Sequence, residues 1–137
     1  MTNNKMALAG LAGGITFFLL GFIIYVLLLG GFFEGEATTN IMRPEDGMVW
    51  WALVIGNLAL GYLFAYVFGN WAGIRTLAGG AKGGAILGGL YALGFDMMMY
   101  GTSNVMSLTG TIVDVLVWVV MGAAAGAVVG WVLGRGE

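Results

Sequence analysis

The feature that most constrains the fold is the length of the uncharged apolar segments. Residues 7–33 contain no charged side chain, and neither do residues 48–71. Two further apolar segments, residues 81–101 and 110–133, are interrupted by only three charged side chains. A helix of about 20 residues crosses the roughly 30 Å of bilayer hydrocarbon, so each segment is long enough to span a membrane. The chain is therefore predicted to be an all-α integral membrane protein, a four-transmembrane-helix bundle forming a single membrane domain over residues 1–137.

The composition agrees with this prediction and excludes several functions. Hydrophobic residues make up 60% of the 137 residues and charged residues only 9%, which is typical of membrane proteins. The net charge of −2 leaves no basic stripe that could neutralise a phosphate backbone, so nucleic-acid binding is not expected. Because the chain has no cysteine and no histidine, disulfides, thiol catalysis, His-ligated haem and the common zinc sites are excluded, and no cofactor is expected.

The distribution of basic residues predicts the orientation of the helices. With four spans both termini share one side, and four of the five basic residues fall on that side: Lys5, Arg75, Lys82 and Arg135. Only Arg43 falls on the other side. Cytoplasmic loops carry an excess of Lys and Arg, so an N-in/C-in topology is predicted, with both termini cytoplasmic in a bacterial inner membrane. The outer side then receives residues 34–47, a loop with four acidic side chains.

Small residues recur four positions apart in the last two segments. The third segment has Gly80, Gly84, Gly88 and Ala92, and the fourth has Gly122, Gly126, Gly130 and Gly134. This spacing aligns small residues on one ridge of a helix, which lets two helix backbones approach closely in a bilayer. Two uses of these glycine ridges remain open. The commoner one is packing within the bundle, and the other is self-association into a homo-oligomer or docking against other membrane subunits.

Asp96 and Asp114 are predicted to lie at the same depth. Asp96 comes five residues before the outer end of the third segment at Gly101, and Asp114 comes four residues after the start of the fourth at Gly110. At 1.5 Å per residue both carboxylates lie about 6 to 8 Å below the outer ends of their helices. A charge inside a membrane needs water, a partner or protonation, and no basic residue of the segments lies at this depth.

Neutral polar residues are the remaining partners for the two aspartates: Asn57, Tyr100, Thr102, Ser103, Asn104 and Thr111, together with Tyr25 of the first segment. One interpretation is a small polar cavity, open to the outside, that binds a cation, a proton or a polar ligand group. In the other interpretation the aspartates cap helices or bind loop backbone, as Asp often does near a helix N-terminus. Asp96 favours the first interpretation, because the dipole at a C-terminal helix end disfavours a negative charge.

Methionines cluster at the level of the aspartates, at Met97, Met98, Met99 and Met106. Thioethers bind Cu(I). Three consecutive residues of a helix point in three directions, however, so these side chains cannot all line one site. Flexible packing or lipid contact is the more common use of such methionines, and the sequence leaves open whether any metal binds.

The second half of the chain contains an ordered series of short motifs. Gly88-Gly89-Leu90-Tyr91 precedes Phe95-Asp96, and Thr102-Ser103-Asn104, Val113-Asp114, Trp118 and Gly122 follow. This series resembles small uncharacterised bacterial four-helix membrane proteins, a domain-of-unknown-function grouping with an aspartate and a Thr-Asn pair near the end of helix three, then Val-Asp and Trp-Gly in helix four. Here Met97 to Gly101 separate the aspartate from the Thr-Ser-Asn group, whereas the family pattern is more compact. The resemblance implies a four-helix membrane fold and no particular activity.

The sequence favours a non-enzymatic role, because no nucleophile or metal-ligand set accompanies the two aspartates. The leading hypothesis is a small polytopic inner-membrane protein with a structural or assembly role, packing through its glycine ridges. Its partners would be the lipid bilayer and either further copies of itself or other membrane subunits. The alternative hypothesis is a cation- or proton-coupled transporter or channel that uses Asp96 and Asp114 from the outer side.

Overall fold

The computed structural model describes residues 3–135, which are largely helical, and the all-α class is confirmed. The five α-helices are α1 (Asn3–Phe22), α2 (Gly30–Glu36), α3 (Trp50–Tyr66), α4 (Leu77–Thr102) and α5 (Leu108–Gly134). The π-helical segments Ile23–Leu28 and Val67–Ala72 continue α1 and α3, and a 3₁₀ turn, Glu45–Gly47, lies before α3. Residues 1–2 and 136–137 of the predicted domain lie outside the described residues.

Three helical segments of the described chain are long and apolar enough to cross a membrane: Asn4–Leu28, Trp50–Ala72 and Leu108–Gly134. They support the prediction of a membrane protein with transmembrane helices. The fourth long helix, α4, has 26 residues and is about 39 Å long at 1.5 Å per residue. Its many glycines, together with Lys82 and Asp96, make α4 less apolar than the other three. A fourth transmembrane span therefore stays a prediction.

The helix bounds differ from the predicted segments where local backbone chemistry intervenes. The first segment was predicted as one helix over residues 7–33, but it breaks at Leu29, whose φ is −112°. The Gly30-Gly31 pair that follows allows this change of direction. α4 begins before the predicted residue 81, because the Thr76 side chain accepts a hydrogen bond from the Gly79 amide at 2.9 Å and caps the helix.

The long helices run alternately in opposite directions. α1 packs between α3 and α5, and α5 packs between α1 and α4, so that α4 rests mainly on α5. The ammonium group of Lys5 donates a hydrogen bond to the carbonyl oxygen of Arg135. Both ends of the described chain therefore lie at one end of the molecule, here called the terminal end. The opposite end, with residues 36–49 and the turn between α4 and α5, is called the loop end.

The contact between α4 and α5 joins two backbones. A Cβ atom added at Gly84 would overlap the carbonyl oxygen of Gly122 and lie 2.9 Å from Gly126 Cα. A Cβ added at Gly126 would lie 2.8 Å from Gly84 Cα and overlap the carbonyl oxygen of Gly80. The remaining ridge glycines, Gly88, Gly130 and Gly134, face backbone of the opposite helix or of the segment before α4 in the same way. In this structure the two glycine ridges are buried against each other within one chain.

The hydrophobic core fills the half of the molecule toward the terminal end. Phe17 of α1, Phe64 of α3 and Val129 of α5 are almost fully buried there, with exposed fractions of 1%, 2% and 0%. α1 and α3 also meet through small residues, since a Cβ added at Gly14 would lie only 2.8 Å from Leu58 Cα. Aromatic side chains and close backbone contacts therefore leave little free space between the helices in this half.

We expect Gly84→Ala to destabilise the protein, because the added methyl group has to push α4 and α5 apart. Overpacking of this kind costs about 1 to 3 kcal/mol. Thermal unfolding in detergent, followed by circular dichroism, measures the effect as a lowered midpoint. Gly94→Ala is the matched control, since a Cβ at Gly94 of the same helix meets no atom within 4 Å. Equal midpoints for the two variants would contradict the backbone-to-backbone contact.

Candidate functional site

Asp96 and Asp114 meet between α4 and α5, toward the loop end. Asp96 lies in the last two turns of α4 and Asp114 in the second turn of α5, and the two carboxyl groups are close enough to interact with each other. The hydroxyl group of Tyr25 donates a hydrogen bond to Asp114 Oδ1. Asp96 Oδ2 is buried and has no hydrogen-bond partner among the described residues. These two side chains are called the aspartate pair.

Among the described residues, no basic side chain is placed to offset the charge of Asp96. The carboxyl group of Asp96 is partly buried and has Asp114 as its charged neighbour. Two ionised carboxylates have no proton to share, and they repel each other strongly where water is excluded. Such a pair is stabilised by a proton held between its oxygens or by a bound cation. The arrangement is therefore suited to binding positive charge.

Tyr25 reaches the aspartate pair from a wide turn of the chain. It lies in the π-helical segment Ile23–Leu28, which ends with a 2.7 Å hydrogen bond from the Leu29 amide to the Ile24 carbonyl oxygen. π-helical turns are rare and occur frequently at functional sites. The Tyr25 ring packs against Phe33 of α2 with 5.3 Å between the ring centroids. α2 thus helps to hold Tyr25 in position over Asp114.

An aromatic layer lies directly below the aspartate pair on the side of the terminal end. It consists of Phe17, Phe64, Tyr91 and Trp118. The ring centroids of Tyr91 and Trp118 are 5.4 Å apart, those of Phe17 and Trp118 are 5.9 Å apart, and those of Phe17 and Phe64 are 5.0 Å apart. Trp118 comes one helical turn after Asp114 on α5. The layer packs between the aspartate pair and the rest of the hydrophobic core toward the terminal end.

A partly open cavity of about 1070 Å³ lies above the aspartate pair, at the loop end. Both aspartates and Tyr25 line it, together with residues from the loop before α3. Its other polar and charged lining side chains include Glu34, Arg43, Tyr100 and Thr111. Methionine thioethers and aromatic rings cover much of the remaining wall, from Met42, Met48, Met99, Met106, Phe33 and Phe95. The cavity wall is therefore mostly apolar, and its acidic side chains outnumber its basic one.

An outer clamp, residues 36–39 and 104–107, fixes the loop end. The Ser107 amide donates to the Glu36 carbonyl oxygen at 3.0 Å, and the Ser107 hydroxyl donates to the Glu36 carboxylate at 2.5 Å. Ser107 also caps α5, since its side chain accepts a hydrogen bond from the Gly110 amide at 3.0 Å. The clamp holds the chain leaving α2 against the turn between α4 and α5, beside the cavity.

Only some of the residues that the sequence suggested as partners of the aspartates lie near the aspartate pair in the structure. Tyr100 lines the same cavity. Asn57 does not, because its side-chain amide donates to the Leu53 carbonyl oxygen at 2.8 Å on α3, in a groove between α1 and α3. Asn104 does not line the cavity either, and its carbonyl oxygen accepts hydrogen bonds from the hydroxyls of Thr38 and Thr39 in the outer clamp.

The outer clamp and the wide turn at Tyr25 are the parts of the site that sequence reasoning missed. The Ser107 cap has a sequence signal, a serine three residues before Gly110 at the start of an apolar run. The π-helical turn has none, because residues 23–28 are uniformly apolar apart from Tyr25. Tyr25 was named from sequence only as one of several neutral neighbours of the aspartates.

No protein-family model, curated protein or solved structure matches this chain. The side chains around the aspartate pair, with their cavity and charges, are therefore the grounds on which a function can be proposed.

We expect Tyr25→Phe to weaken the link between α1 and α5, because it removes the hydrogen bond to Asp114. A hydrogen bond of this kind within a membrane protein contributes about 1 to 2 kcal/mol. Unfolding by increasing fractions of sodium dodecyl sulfate in mild detergent measures the loss. Tyr62→Phe is the matched control, since Tyr62 is exposed on α3 and its hydroxyl lies outside the site. A stability equal to the wild type for Tyr25→Phe would contradict this role.

Proposed function

We propose that this protein is a small transporter of the bacterial inner membrane that takes up a cation or a proton from the outer side at the aspartate pair. It crosses the membrane four times, with both termini in the cytoplasm and with the loop end, including the cavity, on the outer side. The observation that carries this proposal is that Asp96 Oδ2 is buried without a hydrogen-bond partner among the described residues, while Asp96 and Asp114 both line a partly open cavity.

The proposed orientation follows from charge. Lys5 and Arg135 lie at the terminal end, and Arg75 lies there too, beside Gly134. Cytoplasmic ends of membrane helices are enriched in basic residues. Glu34 of α2 lines the cavity at the loop end, and an acidic side chain at the mouth of a cavity raises the local concentration of cations. α4 crosses the membrane in this proposal because its glycine ridge packs on α5, which shields backbone that would otherwise face lipid.

A transporter fits the distribution of space in the molecule better than a channel does. A channel needs a continuous polar path, whereas the aromatic layer and the packed glycine ridges fill the region between the aspartate pair and the terminal end. An open outer cavity above a closed inner half is the arrangement expected of one state of alternating access. Two carboxyl groups without a basic partner then supply the binding energy for the cation.

An assembly role remains a second hypothesis with less support from the packing. The glycine ridges that suggested self-association are used within the chain, where backbone carbonyl oxygens of one helix cover the glycines of the other. A homo-oligomer would therefore have to form through other surfaces, such as the exposed side chains of α1 and α3. No feature of the described residues marks one of those surfaces as an interface.

The topology can be tested with single cysteines, because the chain has none of its own. We expect Asp46→Cys, at the loop end, to react with a membrane-impermeant maleimide on intact spheroplasts. Ala78→Cys, exposed in the first turn of α4, is expected to react only after the membrane is permeabilised. Labelling of Ala78→Cys from outside, or protection of Asp46→Cys, would contradict the proposed orientation.

Transport can be tested in proteoliposomes loaded with a pH-sensitive dye and energised by a gradient of H⁺, Na⁺ or K⁺. We expect wild-type protein to conduct net charge or protons above the rate of empty vesicles. Asp96→Asn is expected to reduce this flux at least tenfold, because it removes a negative charge at the binding site. Asp46→Asn removes the same charge from an exposed loop position and is expected to leave the flux unchanged. Wild-type flux no faster than in empty vesicles for every ion would refute inorganic cation or proton transport.

A further inference from the structure

We propose that the ligand of the cavity is a lipophilic organic cation, with a single positively charged head on an aromatic or branched apolar body. This inference rests on the proposed function, because it names the class of cation that the aspartate pair binds. Three properties of the cavity support it independently of each other: its size, the chemistry of its walls and the sign of its charge.

The cavity is much larger than an inorganic cation requires. A hard metal ion is held by oxygen ligands about 2.0 to 2.6 Å away and fills a space little larger than itself. The volume of about 1070 Å³ above the aspartate pair instead matches the upper end of sites for drug-sized molecules, which is about 1,000 Å³. Such a volume holds a cation that carries a sizeable apolar body.

The walls of the cavity suit an apolar body next to a positive charge. The rings of Tyr25, Phe33, Phe95 and Tyr100 line it, and aromatic faces attract cations that have left water. Thioethers of Met42, Met48, Met99 and Met106 line it as well. Methionine side chains are flexible and polarisable, so they adapt to apolar groups of differing shape. Aromatic rings and thioethers do not supply the oxygen ligands that hard metal ions such as Ca²⁺ or Mg²⁺ require.

The charges on the cavity wall select the sign of the ligand. Three acidic side chains, Glu34, Asp96 and Asp114, face one basic side chain, Arg43, so the wall has an excess of negative charge. The aspartate pair lies at the bottom of the cavity, where the charged head of the ligand would bind. Among the described residues no group of three or more His, Cys, Asp and Glu side chains is arranged to hold a metal ion. The sign of the charge therefore favours a cation over an anion, and the aromatic and thioether walls favour one with an apolar body.

Equilibrium dialysis of the full chain in detergent against tetraphenylphosphonium tests this inference. We expect saturable binding at one site per chain. Tetraphenylborate has the same shape and the opposite charge, and we expect it to show no saturable site. A hundredfold excess of Na⁺ is expected not to displace the bound phosphonium. Equal binding of both tetraphenyl ions, or full displacement of the phosphonium by Na⁺, would overturn the proposal.

Variants of the lining residues test whether tetraphenylphosphonium binds in this cavity. Asp96→Asn is expected to weaken tetraphenylphosphonium binding at least tenfold, and Phe95→Ala about fivefold through loss of an aromatic face. Leu93→Ala is the matched control for Phe95→Ala, because Leu93 is similarly exposed on α4 but does not line the cavity. Thermal midpoints in detergent establish that each variant is folded. Unchanged affinity in both cavity variants would overturn the proposal.

The outcome separates this inference from the proposed function. If tetraphenylphosphonium does not bind while H⁺, Na⁺ or K⁺ flux into vesicles still depends on Asp96, the organic class is wrong and cation transport stands. If the phosphonium does not bind and no Asp96-dependent flux occurs, both proposals fall. If it binds in an Asp96-dependent manner without inorganic flux, the ligand class stands and transport of inorganic ions is refuted.

Discussion

Because glycine has no side chain, α4 and α5 approach until the Cα atoms of one helix face the carbonyl oxygens of the other. Dispersion at this short distance replaces the hydrophobic effect, which has little force between helices surrounded by lipid. The same contact determines where polar groups meet. Asp96 continues the four-residue spacing of Gly88 and Ala92, and Asp114 continues that of Trp118 and Gly122. Once the glycine ridges pack, the two carboxyl groups are brought together.

The two halves of the molecule differ in what fills the space between the helices. In the terminal half, glycine backbone and buried rings such as Phe17 and Phe64 leave little free volume. From Trp118 toward the loop end, the positions at which α4 and α5 face each other carry larger or charged side chains. The cavity begins there. The buried acidic groups therefore lie at the boundary between a closed half and an open half. A change in the charge of these groups would therefore act directly on the packed side chains below them.

Part of this arrangement could be predicted from sequence. The rest could not, because it depends on how the helices turn and pack against each other. The length of the apolar segments was enough to predict the helices over residues 48–71 and 110–133. The constant rise per residue of a helix was enough to predict that Asp96 and Asp114 lie at the same depth. The break at Leu29 was not predictable, because Gly30-Gly31 lies within an unbroken apolar run and glycine is common in membrane helices. Asn57 and Asn104 were assigned to the site by depth alone, whereas helix rotation and the outer clamp direct them elsewhere.

The central position of α5 has a consequence for how the chain is made. Ribosomes synthesise proteins from the N-terminus, so α4 emerges before its packing partner. α4 is also the long helix that falls short of the apolarity of the other three, owing to its glycines, Lys82 and Asp96. Its stable residence in a bilayer would therefore have to wait for α5, which is translated after it. A chain cut short within α5 would leave α4 as a weakly apolar helix without support, and thus a natural substrate for membrane quality control.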